Sequence, residues 1–108
     1  MQTMSVTDLV NGLPSSFHAE RANNLQAKIQ IEVTGEDAGE WYILIHGDTC
    51  EVISGRINSP DLILTATSAV ILDVFSGKAD PFFEYMKGHI QFSGNMALAN
   101  KVIKLFQS

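Results

Sequence analysis

An alternation of apolar and polar residues from Leu25 to Val33 is the feature that most constrains the fold of this chain. Every second residue of the stretch is apolar, and the residues between them are Gln26, Lys28, Gln30 and Glu32. Successive side chains of a β-strand point to opposite faces, so the pattern predicts a strand with one buried face and one wet face. Such a strand is typical of an antiparallel sheet that is covered on one side.

Four further stretches indicate strands. We predict them over Trp41–His46, Cys50–Ile53, Leu62–Thr67 and His89–Ser93. Gly47-Asp48 has the character of a tight turn between the second and third strands, so the first three strands should form a meander. The inner face of the fourth strand is expected to consist of Leu62, Leu64 and Ala66.

The first part of the chain predicts two short helices. Ser5 and Asp8 have the spacing of a capping box, in which each side chain accepts a hydrogen bond from the other residue's backbone N–H group, and a helix to about Leu13 should follow. Pro14 suits the first turn of a second helix, which we expect to continue through Phe17 and Ala19, because its missing donor costs nothing at that position.

The last part of the chain predicts three helices around the fifth strand. Ser68 is placed to cap a helix that runs through Phe75 and stops at Gly77. Asp80-Pro81 begins a short helix that Gly88 ends, and Asn95 is placed to cap a final helix.

The stretch from Ser68 to Ser108 has more apolar surface than the cover of a small sheet needs. Its final helix has two adjacent apolar stripes, formed by Met96, Ala99, Ile103 and Phe106 and by Leu98, Val102 and Leu105. An apolar arc this wide must be covered on two sides or must cover something itself.

Composition limits the classes of protein and of partner. At 108 residues the chain fits one domain over residues 1–108, and its net charge of −5, without a stripe of Lys and Arg, argues against nucleic-acid binding. One cysteine, the lack of a recognisable signal peptide and the lack of a long apolar run favour a soluble protein in a reducing compartment, so the cytoplasm is expected.

No constellation of residues indicates catalysis or a cofactor. No two of His18, His46 and His89 have the spacing of a helical metal pair, and Cys50 has no base near it in sequence. The acidic residues fall on wet strand positions and turns, and the glycines lack the spacing of a phosphate loop. A hydrolase or transferase would need a convergent triad or a metal set, so we predict neither an enzyme nor a bound cofactor.

Several segments together resemble the sterol carrier protein type 2 (SCP-2) lipid-binding family. They are Thr34–Tyr42, the break from Gly55-Arg56 to Pro60-Asp61, Ser68–Gly77 with Asp80-Pro81, and above all Gly88–Met96. The resemblance covers nearly the whole chain and depends on order and spacing together. The first helix is short and the end of the chain has no peroxisomal signal, so the chain is more similar to the small bacterial or archaeal members.

The resemblance implies an α+β fold, a five-stranded, mostly antiparallel sheet with helices over one face, and a hydrophobic tunnel between them. Such tunnels take fatty acids, acyl-CoA, sterols, phospholipids or isoprenoid quinones. The residues predicted to contact the lipid are Val70, Ile71, Val74, Phe75, Phe82, Phe83, Met86, Met96, Leu98, Ala99, Val102, Ile103 and Phe106, with Trp41, Ile43, Leu62 and Leu64 as the floor. Without this resemblance, an ordinary core would be the favoured interpretation of the group Phe75, Phe82, Phe83, Met86, Phe92 and Phe106.

We predict that the protein carries a lipid and catalyses no reaction on it. The prediction does not decide whether the protein also makes transient contact with a membrane. The alternative is an accessory or dimerisation module, which would pack the apolar surplus against a second copy or against a protein of a lipid or quinone pathway.

Overall fold

The structure, a computed structural model, describes residues 5–36, 38–75 and 78–106. Five strands form one sheet: β1 (Gln26–Thr34), β2 (Gly39–His46), β3 (Thr49–Ser54), β4 (Leu62–Thr67) and β5 (Ile90–Gly94). The helices in these ranges are α1 (Val6–Asn11), α2 (Leu13–Ser16), α3 (Ser68–Phe75), α4 (Pro81–Met86) and α5 (Met96–Phe106), with a 3₁₀ turn at Ala19–Arg21. Within them, no helix has the length and apolar character needed to cross a bilayer.

The sheet has the strand order β3-β2-β1-β4-β5, and three of its four neighbouring pairs are antiparallel. The exception is β1 with β4, which run parallel and place Ile29 beside Leu62 and Ile31 beside Leu64. The predicted α+β class, with a mostly antiparallel sheet of five strands, is confirmed. The meander of the first three strands is confirmed too, since β1 pairs with β2 and β2 with β3.

The strand directions require a connection that crosses the sheet between β3 and β4. It crosses the outer face, which is the face opposite the core. Two antiparallel pairings make β3 parallel to β1, and β4 is parallel to β1 as well, so the chain between β3 and β4 must return across the sheet. Arg56 of this segment binds the carboxylates of Glu32 and Glu40, at 2.9 Å and 3.0 Å, on that face.

Gln30 holds the same connection to the sheet. Its side-chain Nε2 donates to the carbonyls of Trp41 and Gly55, each at 3.1 Å, and its Oε1 accepts from the backbone N–H of Ile57 at 2.9 Å. Gln30 is only 1% exposed, so its prediction as part of a wet strand face was wrong. A buried amide is stable there because each hydrogen bond replaces one lost to water.

The core lies on the other face, where alternate side chains of β1 and β2 are buried. Helices from both ends of the chain cover it, so the cover also includes α1 and is wider than the stretch after Ser68. The buried side chains that these helices contribute are Val6, Leu9, Val10 and Leu13 from the first part of the chain, and Ile71, Leu98, Ala99 and Leu105 from the last.

Most predicted helix starts are confirmed. The Ser5 hydroxyl accepts from the backbone N–H of Asp8 at 3.1 Å in a complete capping box, and the Asn95 side chain accepts from the N–H of Leu98 at 3.2 Å. At α3 the accepting hydroxyl belongs to Thr67, one residue before the predicted Ser68, and it binds the N–H of Val70 at 3.3 Å.

The observed ends of the helices and of the fifth strand differ more from the predictions than the helix starts do. The second helix stops at Ser16 because Phe17 is extended, with ψ 126°, so its predicted continuation through Ala19 was wrong. Gly88 follows α4 with φ +81°, as predicted, whereas the stop at Gly77 lies outside the described residues. The fifth strand is shifted by one residue and ends at Gly94, where a Cβ would lie 2.5 Å from the carbonyl oxygen of Asp61.

The segment before β1 fixes the C-terminal end of α5. The backbone N–H of His18 donates to the carbonyl of Leu105 at 2.8 Å, and the Arg21 guanidinium donates to the carbonyl of Lys104 at 2.9 Å. The rings of Phe17 and Phe106 lie 5.8 Å apart. These contacts satisfy carbonyls that a helix end leaves unpaired, and they set how far α5 stands from the sheet.

We predict that Gln30→Ala lowers the free energy of unfolding by about 3 kcal/mol, because it leaves buried backbone groups without partners. Urea denaturation would measure the change. The matched control is Gln26→Ala, which removes an exposed glutamine from the same face of β1 and should cost less than about 0.5 kcal/mol. Equal stability of the two variants would contradict the role assigned to Gln30.

Candidate functional site

An apolar cavity of about 550 Å³ lies between the inner face of the sheet and the helices α3 and α5. Its volume falls within the range of about 300–1,000 Å³ that is usual for small-molecule sites. The cavity is partly open to solvent, and its lining consists of Ile29, Ile31, Ile43, Leu62, Leu64, Ile71, Val74, Phe75, Lys78, Ala79, Asp80, Pro81, Ile90, Phe92, Ala99, Val102, Ile103 and Phe106.

The cavity exists because α5 buries only part of its wide apolar arc. Ala99 packs fully on the sheet, whereas Val102, Ile103 and Phe106 are half-buried and line the space. Opposite them, Ile29 and Leu62 are almost completely buried and form its floor. Half-buried apolar side chains that converge on one space lack the contacts of a close-packed core, and a ligand could supply those contacts.

Two charged residues lie at the margin of this lining, Lys78 and Asp80, and both are exposed. The Asp80 carboxylate already accepts hydrogen bonds from the backbone N–H groups of Phe82 and Phe83, at 2.8 Å and 3.3 Å, and so caps α4. Lys78 is therefore the group best placed to meet a negatively charged ligand atom at the margin.

Ten of the residues predicted to contact a lipid line the cavity. They are Ile43, Leu62, Leu64, Ile71, Val74, Phe75, Ala99, Val102, Ile103 and Phe106. Their contact with a ligand remains a prediction. These ten residues belong to α3, to α5 and to β2 and β4, the two strands that were predicted to form the floor.

The other seven predicted residues do not belong to this lining. Trp41 and Leu98 are buried in the core and Val70 packs against it, whereas Phe82, Phe83, Met86 and Met96 are exposed at the surface. The three residues on α4 point outward because that helix turns its glutamate inward. Glu84 is 9% exposed, and its carboxylate lies 2.8 Å from Lys87 Nζ and 3.4 Å from His89 Nδ1.

The structure also adds lining residues that the sequence interpretation did not select. Ile29 and Ile31 come from β1, Ile90 and Phe92 come from β5, and residues 78–81 form the margin. The alternation in β1 does indicate that Ile29 and Ile31 face inward. Their place in the cavity depends on the parallel pairing of β1 with β4, which no local pattern reveals.

Within residues 5–36, 38–75 and 78–106, the histidine and cysteine side chains lie outside the cavity lining. His18 lies beside Glu20 at 3.2 Å and His89 beside Glu84, both away from the cavity lining. Among the described residues, no three histidine, cysteine, aspartate or glutamate side chains could share a metal ion. Burial, with a smaller contribution from Glu51, raises the pKa of the Cys50 thiol to about 11.

Comparison of the sequence with known families gives one match over most of its length. The profile of the SCP-2 sterol transfer family matches residues 8–107. Human hydroxysteroid dehydrogenase-like protein 2 is 35% identical over 81 residues, which are 74% of this chain and 19% of that protein. The chain thus spans about a fifth of the length of such curated relatives.

The fold has well-matched counterparts among solved structures. The sec-alkylsulfatase Pisa1 from Pseudomonas sp. has a TM-score of 0.82 at 11% identity, with 97% of this chain and 17% of that chain covered. Palmitated SCP2L2 from Aedes aegypti, solved by NMR, has a TM-score of 0.75 at 17% identity, with 97% and 96% covered. At these identities the likeness shows the fold that they share.

We predict that Cys50 reacts slowly with iodoacetamide in the folded protein. A pKa of about 11 leaves roughly 100-fold less thiolate near pH 8 than an ordinary cysteine has. The rate should rise with pH towards about 11 in the folded protein and level off near about 9 after unfolding in urea. Equal rates in both states would contradict this assignment and would reopen a role for Cys50 as a nucleophile.

Proposed function

The chain belongs to the SCP-2 sterol transfer family, and we propose that it carries a lipid with one long apolar chain, such as a fatty acid or a fatty acyl ester. It would hold this lipid in the cavity without acting on it chemically. The observation on which the proposal rests is the apolar cavity of about 550 Å³ between the sheet and the helices α3 and α5. We also propose that residues 1–108 form one lipid-binding domain and that it works in the cytoplasm, which the single cysteine supports.

The size of the cavity favours one acyl chain. A water molecule occupies about 30 Å³ in the liquid, and a methylene group is of comparable size, so the space holds roughly 18 such groups. A phospholipid with two long chains would need about twice that volume and could insert only one of them. The palmitated form of the Aedes aegypti protein, which shares the fold, supports an acyl ligand.

Burial of apolar surface is sufficient for useful affinity. Each buried methylene contributes about 0.8 kcal/mol, so a chain of about 14 methylenes gains roughly 11 kcal/mol. The loss of overall and internal freedom on binding offsets several kcal/mol of this gain, so we expect dissociation constants near the micromolar range. Selectivity would then follow the length and shape of the chain.

The margin of the cavity favours a negatively charged head group. A fatty acid that inserts its chain between the sheet and α5 would leave its carboxylate at the open side, where Lys78 is exposed. Because both groups remain in water, their attraction should be weak, of the order of 0.5 kcal/mol.

A second candidate is an accessory module that packs its apolar surface against another protein or a second copy of itself. The exposure of Phe83 and Met86 on α4 favours it. Native mass spectrometry of protein purified without detergent separates the two candidates. The carrier should retain a lipid mass on a monomer, whereas the accessory module should be a dimer or complex without lipid.

We predict that Ile103→Phe lowers the affinity for a fluorescent fatty acid at least tenfold, because the larger side chain occupies part of the cavity. The matched control is Lys101→Phe, which adds the same side chain two residues earlier at an exposed position outside the lining. Circular dichroism and thermal unfolding should show that both variants fold. Unchanged affinity in a folded Ile103→Phe protein would contradict the placement of the lipid.

We predict that Lys78→Gln weakens binding of a fatty acid about threefold and leaves binding of its methyl ester unchanged. Lys101→Gln removes another exposed lysine, one outside the lining, and should affect neither ligand. Competition with a fluorescent fatty acid would measure both affinities. An equal loss for acid and ester would mean that Lys78 contributes packing and makes no pairing with the head group.

A further inference from the structure

Helix α4 has its polar and apolar sides exchanged relative to an ordinary surface helix. Phe83 and Met86 are 66% and 81% exposed, whereas Glu84 is 9% exposed. Phe82 is exposed too, and we call Phe82, Phe83 and Met86 the α4 patch. Apolar surface in contact with water is unfavourable, and a contiguous patch of this kind marks a surface that a partner covers.

The arrangement is fixed by specific contacts. Lys87 and His89 both approach the Glu84 carboxylate, and the hydrogen bond from Lys87 lowers the pKa of Glu84 against the opposing effect of burial. On another side of the helix, the ring of Tyr85 lies 5.4 Å from that of Phe92 on β5. Since Glu84 and Tyr85 hold the helix in this orientation, the α4 patch stays exposed.

The α4 patch adjoins the cavity. Residues 78–81, which lead into α4 and begin it, belong to the cavity lining, and Phe82 follows directly. A lipid that leaves a bilayer would therefore have only a short distance to travel from the surface under the patch to the margin of the cavity.

The charges of this part of the chain differ from those of the rest. Residues 78–108 contain four lysines and two carboxylates, a formal charge of +2, whereas residues 1–77 carry −7. Of the two carboxylates, Glu84 pairs with Lys87, which leaves Lys78, Lys101 and Lys104 exposed with Asp80. Lys87 Nζ also lies 5.9 Å from the centre of the Phe83 ring. Cationic groups beside exposed aromatic side chains suit the head groups of anionic lipids and the apolar layer below them.

We propose that the α4 patch docks on the surface of an anionic lipid bilayer and aligns the open side of the cavity with it. This inference rests on the proposed function, because it names the source from which the cavity is filled. The patch inserts its three apolar side chains among the acyl chains, while Lys78 and Lys87 remain at the level of the phosphates. Such contact is weak and reversible, as a carrier that must leave the surface requires.

Co-sedimentation with vesicles tests the proposal, with phosphatidylcholine alone compared with phosphatidylcholine that contains about one third phosphatidylglycerol. The protein should bind the anionic vesicles more strongly, and added salt should weaken that binding. Met86→Gln and Phe83→Gln should each lower the partition coefficient about tenfold. Ile53→Gln is the control, since it removes a half-buried apolar side chain from the outer face of the sheet, away from the helices, and should leave partition unchanged.

A second measurement separates this proposal from the proposed function. Met86 is outside the cavity lining, so Met86→Gln should bind a fluorescent fatty acid in vesicle-free solution as the unchanged protein does. Vesicle binding that is lost in this variant while fatty-acid binding persists supports docking by the patch. Vesicle binding that is unaffected by both α4 substitutions overturns it, whether or not the cavity takes a fatty acid. A dimer that Met86→Gln dissociates, together with no vesicle binding, would overturn it in favour of contact between two copies of the chain.

Discussion

The parallel pairing of β1 with β4 determines where the rest of the structure lies. It places Leu62 and Leu64 beside Ile29 and Ile31, so that one continuous apolar floor spans two strands that are distant in sequence. It also requires the chain after β3 to return across the outer face, and Gln30 makes that return stable by pairing with Gly55 and Ile57. The inner face is left to the helices, and the cavity forms where their coverage of the floor is incomplete.

Anchors at both ends of α5 explain why the cavity stays open. At its start, Asn95 caps the helix and its backbone N–H binds the carbonyl of Asp61 at 3.2 Å. At its end, His18 and Arg21 bind the carbonyls of Leu105 and Lys104. These contacts restrain α5 from moving towards the sheet to fill the space below its middle. The open space therefore depends on polar contacts made outside it, and apolar side chains can line it without collapsing together.

Local patterns predicted what depends on local physics. The alternation of Leu25 to Val33 was sufficient for the central strand, and Ser5, Pro14 and Asn95 indicated helix starts correctly, because caps and strand faces are set by residues a few positions apart. Features that depend on residues far apart in sequence could not be predicted from local patterns. The burial of Gln30 depends on a connection from beyond β3, and the outward side of α4 depends on Lys87 and His89 holding Glu84. Apolar residues on α4 were assigned to the interior since hydrophobicity alone does not state which side of a helix faces the core.

The hydrogen bond between Arg21 and Lys104 joins residues that are 83 positions apart. A contact of such separation contributes only after a long loop has closed, and this closure has an entropic cost that slows folding. On the ribosome, strands β1 to β4 are synthesised well before α5. Their apolar floor therefore exists before the helix that covers part of it. A nascent chain consequently has no finished cavity until α5 has emerged, so the proposed lipid could enter only after that point.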